Sequence, residues 1–295
     1  MFCLNKKMRI HCLLTILFLV FFPYSACSAG RSTSHTLQIK GSDTMVNLGQ
    51  AWAEEFMRTH PETSIAVTGG GSGTGIAAIL SGTCDIAQSS RDVKPEELSK
   101  AQANGKPIVQ TNVAIDGLAV VVNLGNPVSQ LTLDQLADIF TGKVTNWKEV
   151  GGNDLPILIL SRERNSGTHV YFLEHVLRRG NPKGAEEFAA SALMMPSSQG
   201  IAQEVESSEA AIGYLGMGYV TPKQKVLAIG KIAGGSYILP TLETAQNGQY
   251  PISRPLYFLT RGEPEGEIKS FVEFVLSSEG QEIVRVLDFV PVKSN

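Results

Sequence analysis

The sequence predicts an α/β protein of two hinged lobes, each a mostly parallel sheet flanked by helices. Three observations carry this. Apolar strands repeatedly run into polar loops that open helices, two extended segments read as crossovers, and a second α/β set follows the first crossover. With 295 residues, 43% of them hydrophobic, there is enough apolar material for two sizeable cores.

The first 29 residues stand apart. Lys6, Lys7 and Arg9 precede an apolar run over residues 13–22, and small residues gather at 25–29. That is the layout of a secretory signal, with an apolar core too short for a transmembrane span. Cys27 opens a second address, a lipid-tethered exported protein, although Tyr24 stands where lipidation signals usually carry leucine. Removing the signal takes the net charge from −3 to −6, and an acidic exported chain is a poor nucleic-acid binder. Cys3 and Cys12 leave with it, so Cys84 remains alone or with Cys27 and no disulfide framework is available.

The elements then follow in order. Residues 37–40 alternate as a strand and open into Gly41-Ser42-Asp43-Thr44 and an amphipathic helix over 45–60, with Leu48, Trp52 and Phe56 on one face. A strand over 63–68 runs into the glycine-rich stretch GGGSGTG at 69–75 and then a helix. A strand over 85–88 runs into Ser89-Ser90-Arg91-Asp92 and a helix beginning near Pro95. All three polar loops fall at strand carboxyl ends, where open α/β sheets bind ligands. Residues 108–122 read as a crossover interrupted at Asp116-Gly117. A helix over 133–140, a strand over 157–160, a helix opening at Ser166-Gly167-Thr168, and strands over 211–215 and 226–229 form the second set. Residues 250–255, with two prolines, read as the return crossover. A strand over 255–260 and helices over 267–276 and 279–286 complete the first lobe. The expected division is a signal at 1–29, lobe I at 30–115 plus 255–295, and lobe II at 116–254.

The glycine stretch can aim converging backbone N–H groups at an anion beside a helix N-terminus; it serves equally as a tight strand-to-helix turn. Residues 161–168, SRERNSGT, combine a guanidinium at Arg162 with hydroxyl and N–H donors at a helix start, a cradle for a tetrahedral oxyanion. The alternative there is an N-cap serine with surface arginines. Ser42, Asp43 and Thr44 also suit a cap, Asp116 a turn, and Ser90-Arg91 a solvated loop. Their joint placement at strand ends in both halves favours one shared site.

These stretches, with Ile115-Asp-Gly-Leu-Ala119, residues 131–142 (LTLDQLADIFTG), Asn146-Trp147 and Ala211-Ile-Gly-Tyr214, resemble the signatures of bacterial phosphate-binding proteins. Those proteins are the exported substrate-binding components of the phosphate ABC transporter. The resemblance covers nearly the whole chain after the signal. It implies a type II-like periplasmic-binding-protein clamshell that is monomeric, is not an enzyme, needs no cofactor or metal, closes over one inorganic phosphate and serves a membrane permease. Carried over residue by residue, the ligand contacts fall on Arg162, Ser166, Gly167 and Thr168; on Ser72, Gly73 and Thr74; on Ser42, Asp43 and Thr44; and on Ser90 and Arg91. Arg91 stands where some members carry aspartate, so the role of accepting the phosphate proton moves to Asp116 or, second, to Asp43. Three rivals fit less of the sequence. One is a binding protein for sulfate, molybdate or tungstate, and another is a secreted phosphatase or other hydrolase lacking a triad-like context for its histidines. The third is a dinucleotide enzyme, suggested only by residues 73–78.

Overall fold

The computed structural model describes residues 36–292, so the signal and Cys27 lie outside the described residues. Three βα units come first: β1 (Thr36–Gly41) and α1 (Val46–Thr59), β2 (Ser64–Thr68) and α2 (Ser72–Ser81), β3 (Ile86–Ser89) and α3 (Pro95–Ala103). Then β4 (Ile108–Asn123) runs unbroken for 16 residues. Beyond it lie β5 (Gln130–Thr132), α4 (Leu133–Phe140), β6 (Leu158–Arg162) and α5 (Gly167–Phe172), which a π-helical turn over Leu173–Leu177 extends. The chain continues through β7 (Leu193–Met195), α6 (Ser198–Ser207), β8 (Ala211–Gly216), β9 (Gln224–Val226), β10 (Ala228–Gly230), β11 (Tyr237–Ile238) and α7 (Leu242–Gln246). It ends with β12 (Ser253–Arg261), α8 (Gly266–Leu276) and α9 (Ser278–Val286).

One curled sheet runs in the order β2-β1-β3-β12-β4-β8-β6-β7, with β9 also on β4; β11, β10 and β5 form a small second sheet. The sheet is mixed rather than mostly parallel. Pairs β1–β2, β1–β3, β6–β7 and β6–β8 are parallel, as successive βα units require. By contrast β12 runs antiparallel to both β3 and β4, and β8 runs antiparallel to β4. Asp116-Gly117 does not interrupt β4. It marks the place where pairing passes from β12, which covers Ile108 to Gly117, to β8, which covers Leu118 to Val122.

The strand expected over 226–229 divides at Leu227, with β9 joining β4 and β10 joining β5. The short elements β5, β7, β11, α6 and α7 lie outside the sequence reading. The helix α6 is polar enough to hide its period, since it buries little more than Ile201, Ala202 and Val205 of its apolar side chains.

Two aromatic groups mark the cores. On one side Trp52 and Phe56 of α1 meet Phe258 and Phe271 edge to face, at 5.4 and 5.3 Å between ring centres. On the other Phe172 stacks on Tyr214 at 3.9 Å, with Phe140 at their edges. Each such buried ring contributes roughly 1.5–3 kcal/mol through removal from water alone. Trp52 adds a hydrogen bond from its indole N–H to the Gly280 carbonyl, 2.8 Å, which ties α1 to α9. Trp52→Ala should therefore cost about 3–5 kcal/mol in urea unfolding. A loss below about 1 kcal/mol would contradict this reading of the core.

Candidate functional site

The site begins where β1 ends. Gly41 has φ +142°, and a Cβ there would lie 2.1 Å from the Gln88 carbonyl oxygen, so only glycine lets the end of β1 lie this close to β3. The next amide, Ser42, donates to that same carbonyl at 2.8 Å. This brings Ser42 Oγ within 2.9 Å of Ser90 Oγ, to which it donates. Ser72 Oγ lies 3.2 Å from Ser90 Oγ and accepts from the Ser90 amide at 3.0 Å. The ends of β1, β2 and β3 thus converge on one hydroxyl cluster, fully buried.

The glycine stretch divides its labour differently from the reading as one anion-facing loop. Only Gly69, Gly70 and Gly71 are loop; α2 starts at Ser72. Gly75 is a packing glycine, for a Cβ there would sit 2.6 Å from the Lys40 carbonyl oxygen and 2.7 Å from Gly41 Cα. Gly73 and Thr74 turn away from the hydroxyl cluster. The Gly73 amide donates to the Asn165 carbonyl at 2.9 Å, and Thr74 Oγ1 donates to the Gly70 carbonyl at 2.7 Å. Asn165 answers with its own amide, donating to the Gly70 carbonyl at 2.8 Å. The loop before α5 therefore docks into the glycine stretch.

That docking presses the start of α5 against the serines. A Cβ on Gly167 would lie 2.3 Å from Ser72 Oγ and 2.7 Å from Ser90 Oγ. Thr168 Oγ1 meets Thr44 Oγ1 at 2.8 Å. Ser166 is the N-cap of α5, its Oγ accepting from the amides of Thr168 and His169, so the cap reading accounts for its side chain.

Two ion pairs flank these groups, one buried at both ends and one whose aspartate is partly exposed. Asp116 and Arg254 sit directly opposite in the β4–β12 register. Arg254 Nη2 and Nε donate to Asp116 Oδ2 at 2.8 and 3.1 Å, and the Met217 amide donates to Oδ1 at 3.1 Å. The guanidinium also donates to the Ser90 carbonyl and to Thr168 Oγ1, each at 3.0 Å. The second pair is Asp43 with Arg162, 3.1 Å apart. Asp43 Oδ2 also accepts from the Ser198 amide at 2.8 Å and its hydroxyl at 3.0 Å. Arg162 gives its other donors to Ser198 Oγ and to the Met195 and Pro196 carbonyls. Burial lowers the Arg162 pKa, and Asp43 opposes that shift. Each pair cancels its own charge, so hydroxyl and N–H dipoles set the local field.

Most of the residues singled out in the sequence gather here: Ser42, Asp43, Thr44, Ser72, Ser90, Asp116, Arg162, Gly167 and Thr168. Arg91 does not join them. Its guanidinium is held by both oxygens of Glu97 and by the Asp92 carbonyl, at the start of α3. Arg254, Asn165 and Ser198 were missed. Arg254 had a signal, since it lies in the return crossover, and an antiparallel pairing of the two crossovers sets it beside Asp116.

The chain belongs to the PBP superfamily, whose domain model matches residues 26–279. Among its curated relatives, the phosphate-binding protein PstS of Pseudomonas aeruginosa is 32% identical over 276 residues, covering 88% of this chain and 84% of that one. The PstS of Bacillus subtilis is 35% identical over 260 residues, covering 88% and 81%. A phosphate-bound crystal structure from Clostridium perfringens, assigned as a phosphate ABC transporter substrate-binding protein, superposes with TM-score 0.78 at 36% identity. It covers 88% of this chain and 100% of its own.

Two stability predictions follow from the packing. Alanine favours helix over glycine by about 1 kcal/mol, yet Gly75→Ala should destabilise by about 1–3 kcal/mol because it meets backbone. A stabilised Gly75→Ala in urea unfolding would contradict the close approach of α2 to β1. Behind the site, His169 Nδ1 lies 3.3 Å from Ser161 Oγ, which pairs with the Tyr214 hydroxyl. Burial pushes the His169 pKa from 6.5 down to about 4. Between those values the unfolded chain binds more protons, so stability is complete above pH 6.5 and falls as pH drops toward 4, by about 3 kcal/mol. His169→Gln should flatten that dependence in denaturant titrations at pH 7 and 4.5; equal losses in both proteins would contradict it.

Proposed function

We propose that this chain is the exported substrate-binding protein of a phosphate ABC transporter, capturing inorganic phosphate between two lobes and handing it to a membrane permease. One observation carries the reading. The buried hydroxyls of Ser42, Thr44, Ser72, Ser90 and Thr168, with the start of α5 at Gly167, converge from strand ends of both halves in a chain related to PstS. Such a shell holds an anion with dipoles, and the two ion pairs leave no bare charge to oppose it. The lobe division at 30–115 plus 255–295 and 116–254 is retained, with β4 and β12 as the connecting strands. In that division Asp43–Arg162, Gly73–Asn165 and Thr44–Thr168 are all contacts between lobes. The protein acts as a monomer without turnover, in the periplasm. Whether Cys27 adds a lipid tether is decided by the mass of the processed N-terminus.

Selectivity rests on a proton. Near neutral pH phosphate retains a P–OH that a buried carboxylate can accept, whereas sulfate would place a lone pair against it. That mismatch costs about 1–3 kcal/mol, roughly five- to 150-fold in affinity. Asp116 is the favoured acceptor: it is fully buried, and Oδ1 carries only the Met217 amide. Asp43 is second, because its side chain is partly exposed and water can satisfy it when the anion offers no proton. Calorimetry of the processed protein should show stoichiometric phosphate binding and sulfate binding weaker by about fivefold or more. Asp116→Asn should narrow that ratio more than Asp43→Asn. Tight sulfate binding, or release of phosphate from an ester, would overturn the proposal; the reverse order of the two variants would move the acceptor to Asp43.

A further inference from the structure

We propose that Arg254 is a positioning residue that bars the Thr44–Thr168 hydroxyl pair from donating toward it, so that the pair's free proton points at the bound anion. The inference rests on the phosphate reading above and concerns the same site.

A hydroxyl has one proton and two lone pairs, and a guanidinium only donates. Arg254 Nη2 lies 3.0 Å from Thr168 Oγ1 and 3.5 Å from Thr44 Oγ1, and the two hydroxyls are 2.8 Å apart. Between themselves they could donate in either direction. Once Arg254 donates to one of the two hydroxyls, that side of the pair is closed to a threonine proton. The acceptor then either donates to the other threonine, whose proton leaves the pair, or accepts from it on the second lone pair and sends its own proton outward. Either order ends in one hydroxyl proton aimed away from the arginine, which is the polarity an oxyanion needs.

The fork is rigid enough to impose this. Its Nε and Nη2 grip Asp116 Oδ2, and Nη1 donates to the Ser90 carbonyl. The Tyr171 ring lies 5.4 Å from the guanidinium carbon. The side chain is 1% exposed, so no water competes for these donors. One planar group thus holds the crossover (Asp116), the end of β3 (Ser90) and the start of α5 (Thr168) together. Lysine keeps the charge beside Asp116 and lacks the planar fork that serves all three at once.

A double-mutant cycle separates relay from brace. Phosphate affinity is measured by calorimetry for wild type, Arg254→Lys, Thr168→Val and the double variant, with melting temperatures alongside. Through a relay, Arg254→Lys weakens phosphate about tenfold in the wild type and less than about twofold once Thr168 has no hydroxyl. Equal losses in both backgrounds overturn the relay and leave the functional reading standing. Wild type that binds no phosphate overturns both. If Arg254→Lys does not fold, a neutron structure of the wild-type phosphate complex decides. A Thr44 or Thr168 deuteron directed at phosphate, with an arginine deuteron directed at the pair, supports the relay. Both threonine hydroxyls accepting from phosphate or pointing to protein overturns it.

Discussion

The ion pair between Asp116 and Arg254 is the interaction on which the rest of the site depends. The two residues face each other across β4 and β12, where two distant stretches of chain lie antiparallel. Neither side chain reaches water. A buried charge without its partner is costly, so the register of the two strands and the pair enforce each other. Because Arg254 also reaches Ser90 and Thr168, the same register sets the distance between the end of β3 and the start of α5. Met217, just after β8, is fastened to Asp116 as well.

The second pair, Asp43 with Arg162, works at greater remove. It joins the loop after β1 to the end of β6 and recruits the first residue of α6 through Ser198. With both arginines matched to aspartates, the proposed anion meets hydroxyl and amide dipoles rather than a free cation. That arrangement suits a carrier that must also let go, since neutral donors hold an anion by many modest bonds. The interlocked contact of Asn165 with the glycine stretch closes the other end of the same interface.

Much of this was legible in the sequence. The strand-to-helix periods located the loops after β1, β2 and β3, and those loops converge because parallel strands place their carboxyl ends together. Local chemistry was less reliable. Arg91 sits beside Ser90 in the chain, but Glu97, six residues on, supplies a carboxylate at the start of α3 and captures it. Ser166 is absorbed by capping its own helix. Gly75 and Gly73 belong to one glycine-rich stretch, yet the first packs α2 onto β1 and the second faces Asn165. Arg254 shows the limit most clearly. Its place in the return crossover is the one local mark, and its role comes from a partner 138 residues away that only strand register brings into contact.

The central claim is that the buried hydroxyl cluster is where the oxyanion sits. Arsenate shares phosphate's shape and scatters anomalously, so diffraction from the arsenate complex locates it directly. The arsenic peak is expected among the Ser72 and Ser90 hydroxyls, the Gly167 amide and the Thr44–Thr168 pair. A peak instead in the outer groove lined by Lys94, His175 and Lys183 would contradict it.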